Sequence, residues 1–104
     1  TEKVGVLARR FPRTTFILGH MGFGPADVDA VELALRHDNL FLETSGGSYL
    51  ILKAALERLG PAKLIFGSEF PLHHPQVELE KIHLLLRGEG FERVTSKNLL
   101  SLIG

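Results

Sequence analysis

The residues of this chain best suited to chemistry are a histidine and a glutamate, each closing or following an apolar run: His20 in "FILGH" (16–20) and Glu69 in "LIFGSEFP" (64–71). An imidazole and a carboxylate are common ligands of zinc and similar borderline metals, and they also make a workable base and acid pair. A metal centre needs about three protein ligands, and these strand ends supply two good ones. Glu69 carries the stronger case. A carboxylate between an apolar run and Phe70-Pro71 is costly to bury unpaired, which points to a partner or a ligand. His20 has a plainer alternative, a polar cap bonded to a loop carbonyl.

Around this pair lie weaker candidates. Gly22, Ser45, Ser68 and His73 sit in or just beyond the polar ends of the apolar runs and are the candidate substrate-binding residues. His73 and His74 are neighbours, and neighbouring side chains in an extended loop point apart, so the pair reads first as a solvated loop. The glycines of "GHMGFG" and "SGGS" could let a backbone approach phosphate, but neither stretch has the P-loop lysine or the full dinucleotide spacing. His37 fits a cation at a helix C-terminus, and His83 a structural place inside a helix. Glu43 precedes the polar end of its own run and faces either a helix or the interior.

The elements that must position these residues recur with a period. "FILGH" at 16, "LFLET" at 40 and "LIFGS" at 64 are spaced by 24 residues. Each is short and almost continuously apolar, the pattern of a strand buried on both faces, which argues for a parallel sheet. Helical patterns lie between them at 26–37 and 49–59, the second stopped by Gly60-Pro61. A leading helix covers about 3–10, and two more follow at 77–87 and 96–103, separated by a Gly88-Glu89-Gly90 break. Strand and helix thus alternate, which implies an α/β fold of parallel strands joined by right-handed crossovers. In such sheets ligands bind at the carboxyl ends of the strands, where His20, Glu43 to Gly47 and Ser68 to Pro71 collect.

Composition narrows the function classes. With 104 residues and 44% apolar content the chain reads as a single domain, 1–104, able to form a core. Twelve basic and twelve acidic residues cancel, which removes the electrostatic case for nucleic acid or an anionic membrane as partner. No cysteine is present, so there is no thiolate metal site, and a reducing compartment fits. No apolar run approaches the ~18 residues of a membrane span and the start has no signal-peptide core, so a cytoplasmic protein is expected.

Taken in order, "TTFILGHMG", "NLFLETSGG", "KLIFGSEFP" and "VTSKNLLSLIG" resemble the C-terminal part of the amidohydrolase-related family, the metal-dependent hydrolases and decarboxylases of the amidohydrolase superfamily. The resemblance runs over essentially the whole chain and is most specific at the "FGS-acid-aromatic-Pro" strand end. It implies a portion of a TIM (β/α)8 barrel, three strands with flanking helices, with metal and substrate at the C-terminal strand ends. His20 would match a strand-end histidine that binds metal in some members and polarises substrate as acid or base in decarboxylase-like ones. Glu69 would stand for an aspartate that coordinates metal or takes a proton from metal-bound water. The expected cofactor is a divalent metal, zinc before manganese, or none in this chain. The expected partner is a small carboxylate, lactone or amide substrate.

Two departures from the pattern shape the expectation. Glutamate replaces aspartate at 69, which moves the carboxylate outward by about 1.5 Å. The family's first-strand His-x-His pair and its fourth-strand ligand are absent. Three strands of eight leave two sheet edges and one strand wall open, so the chain is expected to associate with a missing N-terminal half or as a homo-oligomer. Folded alone, it would be an open sheet with helices on both faces. The functional alternatives are a metal-dependent hydrolase or decarboxylase piece inactive without that half, a non-catalytic self-associating α/β module, and a phosphate-binding α/β domain using Gly22, Gly24 or Gly46.

Overall fold

In the computed structural model, which describes residues 1–24 and 26–104, the apolar runs become β1 (Phe16–Leu18), β2 (Leu40–Glu43) and β3 (Leu64–Ile65). They pair in parallel in the order β1-β2-β3, with Leu42 beside both Leu18 and Leu64, and Glu43 beside Ile65. Around them lie α1 (Glu2–Arg10), α2 (Val28–Arg36), α3 (Tyr49–Leu59) and α4 (Pro75–Leu85). α5 (Gly88–Glu92) then continues through a π-helical segment, Arg93–Lys97, into α6 (Asn98–Ile103).

Local chemistry fixes most boundaries. The Asp27 carboxylate accepts from the Ala30 N–H, and the Ser48 hydroxyl from the Ile51 N–H, capping α2 and α3. His74 Nδ1 accepts from the Gln76 N–H, and Pro75 takes the first position of α4, where its missing N–H is harmless. Gly60, at φ +74°, ends α3. The last helical stretch starts at Gly88 rather than at Ser96. The break from α4 falls at Leu86 and Arg87; Gly88, at φ +58°, turns the chain into α5, and Gly90 lets it pass close to Leu86. Thr95 and Ser96 donate to the carbonyls of Phe91 and Glu92, four residues back, where the backbone widens into the π turn.

β3 is shorter than its apolar run because its neighbours are diverted. Ile65 turns its backbone groups to β2, its carbonyl accepting from the Thr44 N–H at 2.9 Å, and the next ladder donor, the Gly67 N–H, goes to the Thr44 hydroxyl instead. Leu64 and Phe66 therefore point their backbone groups outward. There the Asn98 amide donates to the Leu64 carbonyl at 2.7 Å, and the Phe66 N–H donates to the Val94 carbonyl at 2.9 Å. The expectation of two open edges is thus corrected: the outer edge of β3 is closed by the π-helical turn and α6. Among the described residues no backbone bond is made to the outer side of β1.

The core lies on one face of the sheet. Leu40, Leu42 and Leu64 are fully buried there against Ala8 of α1, Val31 and Ala34 of α2, Leu52 and Ala55 of α3 and Ile82 of α4. Burying one such leucine is worth about 1.5–3 kcal/mol, so this face supplies much of the driving force. Ile17, Phe41, Glu43 and Ile65 point to the other face by strand alternation. Ile17 is 45% exposed and stands outside the core cluster. The arrangement is one layer of sheet and one of helices, not helices on both faces, because each βα crossover returns on the same side. Among the described residues no helix is long and apolar enough to cross a membrane.

Candidate functional site

The carboxyl ends of the strands bring four of the expected residues together. After β1 the chain makes a tight turn over Gly19–Met21 in which His20 (φ 59°) and Met21 (φ 55°) both take left-handed backbone. After β3, Glu69 does the same at φ 55°. Left-handed backbone costs a residue with a Cβ about 1–2 kcal/mol, and it persists where the surrounding structure holds it, commonly at functional positions. Here the two turns aim their side chains at each other: His20 Nδ1 lies 3.1 Å from Glu69 Oε2. Both remain within reach of solvent, with side chains 54% and 36% exposed.

The loop after β2 forms the floor beneath them. Ser45, buried, places its hydroxyl 3.0 Å from His20 Nδ1 and donates to Glu43 Oε1 at 2.7 Å. Glu43 also accepts from the Ser45 N–H, and at 3.4 Å from the His20 N–H. From beyond the floor, α4 holds the same loop. Glu78 Oε1 accepts from the Gly46 N–H at 2.9 Å, Glu78 Oε2 pairs with the Lys81 ammonium at 2.7 Å, and Lys81 donates to the Gly47 carbonyl at 3.1 Å. Burial alone would raise the Glu78 carboxyl, but the Lys81 and Gly46 hydrogen bonds and the Lys81 and His73 charges outweigh it and hold it below its ordinary value. Gly47 lacks a Cβ for a packing reason, since one would stand 2.7 Å from the buried Met21 sulfur.

Of the expected substrate-binding residues, Ser45 is in the network and His73 is beside it, its Nε2 3.9 Å from Glu69 Oε2. Ser68 is half-buried next to Glu69 in the chain. Gly22 is elsewhere: at φ 108° it lies against Asp27, where a Cβ would come within 2.5 Å of the carboxylate, so its role is in the turn into α2. His37 caps the C-terminal end of α2, and His83 stacks on Phe91 at 4.1 Å between ring centres, both consistent with structural places. Glu78 and Lys81 are absent from the expected set, and Glu43, noted at its strand end, had no role assigned. Strand parity was the available signal for Glu43, since it lies one step after Leu42 and so faces away from the helices.

A divalent metal would find an imidazole and a carboxylate here. The two are already within hydrogen-bond distance of each other through His20 Nδ1, and among the described residues no three His, Asp or Glu side chains converge on a point that could hold an ion. The described residues therefore do not make a complete metal centre. What they do make is a polar edge with one accessible imidazole, one accessible carboxylate and a hydrogen-bonded floor.

Comparison with known proteins agrees with the fold. No curated protein matches the sequence. Among solved structures, an uncharacterized TIM-barrel protein from Bordetella bronchiseptica superposes with a TM-score of 0.81 at 18% identity, over 98% of this chain and 38% of that one. An amidohydrolase from Burkholderia multivorans with bound zinc superposes at 0.76 with 16% identity, over 94% and 46%. A dihydroxybenzoic acid decarboxylase from Polaromonas with bound manganese and the inhibitor 2-nitroresorcinol superposes at 0.68 with 20% identity, over 92% and 35%. The chain thus spans less than half the length of each, and its three strands with flanking helices are part of a TIM barrel. The amidohydrolase family model matches residues 2–93. By that match, nearly end to end, the chain belongs to the amidohydrolase family.

Proposed function

We propose that this chain supplies the His20 and Glu69 side of an amidohydrolase-type active site acting on a small carboxylate, lactone or amide, by hydrolysis or decarboxylation. The single observation that carries the reading is the 3.1 Å approach of His20 Nδ1 to Glu69 Oε2 across two strand ends that both adopt left-handed backbone to make it. His20 serves as proton donor or acceptor toward the substrate, or as a metal ligand through Nε2. Glu69 serves as a carboxylate ligand or proton acceptor, and His73, close to Glu69, receives the negative end of the substrate. The manganese and zinc in the Polaromonas and Burkholderia relatives support a divalent metal, whose remaining ligands would come from outside these three strands. Completion by an N-terminal half or by another copy of the chain belongs to the same proposal.

The test uses Mn²⁺ as a paramagnetic probe in solution NMR of the full chain, with molar mass recorded by light scattering on the same sample. Broadening centred on His20 and Glu69, and lost in Glu69→Ala and His20→Ala, is the expected result. Broadening confined to the His73-His74 loop, with His20 and Glu69 untouched, overturns the reading and favours a non-catalytic α/β module.

A further inference from the structure

Glu43 is a carboxylate near the centre of the site that no cation pairs among the described residues. Instead it collects three donors, the N–H and O–H of Ser45 and the N–H of His20. It lies in a slot between two glycines of the flanking strand ends. A Cβ at Gly67 would overlap its carboxylate, and one at Gly19 would stand 3.9 Å from Oε1. The missing Cβ at Gly67 is what makes room for the carboxylate, while at Gly19 a Cβ would stand in ordinary contact with it. The room at Gly67 and the three donors together hold the carboxylate in place.

The orientation has a chemical consequence at His20. The Ser45 hydroxyl has one proton, and it is committed to Glu43 Oε1 at 2.7 Å. Toward His20 Nδ1, 3.0 Å away, Ser45 can then offer only a lone pair. Glu69 Oε2, at 3.1 Å from the same nitrogen, is also an acceptor. In the neutral ring Nδ1 must accordingly carry the proton, and Nε2 is left with its lone pair. The proton's place on a histidine ring is set by the partner of the opposite nitrogen.

We infer that Glu43 is a positioning residue: acting through Ser45, it fixes neutral His20 in the Nδ1–H form and so keeps Nε2 unprotonated for the substrate or a metal. The inference rests on the reading of His20 as a working residue, but its test needs neither metal nor substrate. When Glu69 is engaged elsewhere, Ser45 is the remaining partner of Nδ1, and Glu43 decides which way its hydroxyl points.

The experiment is ¹⁵N NMR of the His20 ring in the full chain, above the ordinary imidazole range, in the Glu69→Ala background so that only the Ser45 path remains. In Glu69→Ala the unprotonated nitrogen should be Nε2. Adding Glu43→Ala, or Ser45→Ala, should lower the ratio of Nδ1–H to Nε2–H by about five-fold, the factor for one hydrogen bond of ordinary net strength. Backbone amide spectra establish that each variant is folded, and the Ser45 variant serves if the Glu43 one is not. A protonated Nε2 in Glu69→Ala, or a ratio unmoved by both additional substitutions, overturns the inference. Neither result bears on the Mn²⁺ experiment, so the two failures are distinguishable.

Discussion

Replacing Glu78 by alanine asks whether α4 holds the floor of the site. The Glu78 side chain is 4% exposed and its partner Lys81 25% exposed. Alanine removes the acceptor of the Gly46 N–H and leaves the ammonium without its counter-charge. Breaking a fully buried pair from one side costs about 3–5 kcal/mol. Lys81 keeps its bond to the Gly47 carbonyl and can turn part of its charge to water, so a loss of about 2–3 kcal/mol is expected. Against a total of about 5–15 kcal/mol that is a large fraction. Urea unfolding at neutral pH reads it as a lower midpoint at constant slope. A second arm uses pH. Because the folded Glu78 carboxyl titrates below its ordinary value of 4.5, its stabilisation is full above that value and is lost as pH falls through the folded value. The deficit of Glu78→Gln relative to the parent should therefore shrink in the same acid range. A loss in Glu78→Ala smaller than about 0.5 kcal/mol, the size of an ordinary surface change, would refute the reasoning. So would a Glu78→Gln deficit that acid leaves unchanged.

Two further outcomes follow from the backbone and the open face. At His20, with φ 59° and ψ 20°, glycine should be more stable than alanine by about 1 kcal/mol, the reverse of their order in a helix. Thermal unfolding should show this as a Tm about 4–8 °C higher for His20→Gly than for His20→Ala. Ile17→Lys, on the uncovered face, should change stability by less than about 0.5 kcal/mol. It should also lower the molar mass measured by light scattering if copies associate through that face, and a large stability loss would mean that Ile17 is core.

The parts of the fold legible in the sequence are those set by strong local signals. The 24-residue recurrence of apolar runs placed all three strands, and Tyr49–Leu59 is bounded by residues that cap helices at either end. The misreadings came where tertiary contacts outweighed local preference. The Gly88-Glu89-Gly90 stretch read as the break between the last two helices; the break stands just before it, at Leu86 and Arg87, and the following helix begins at Gly88 rather than Ser96 because Phe91 and Val94 pack on the core. β3 read as five residues because its run is apolar, whereas Gly67 and Phe66 give their N–H groups to Thr44 and Val94. In the site, His20 and Glu69 were legible from residue type and position at strand ends. Strand parity put Glu43 on the face away from the helices without giving its role, and the Glu78-Lys81 pair was not legible, since its role depends on which loop α4 touches and only its hydrogen bonds reveal that.

The closed outer edge of β3 limits what the sheet can build. With Leu64 and Phe66 already bonded to Asn98 and Val94, β1 is, among the described residues, the strand left to accept another. A sheet that can be extended on both sides propagates into a fibre, head to tail. One extendable only at β1 can meet a second copy solely through the same strand, about a two-fold axis, and that meeting uses up the only docking edge of each. Growth by strand addition therefore stops at a pair, so the asparagine and the π turn act as a terminator of polymerisation as well as an anchor for β3.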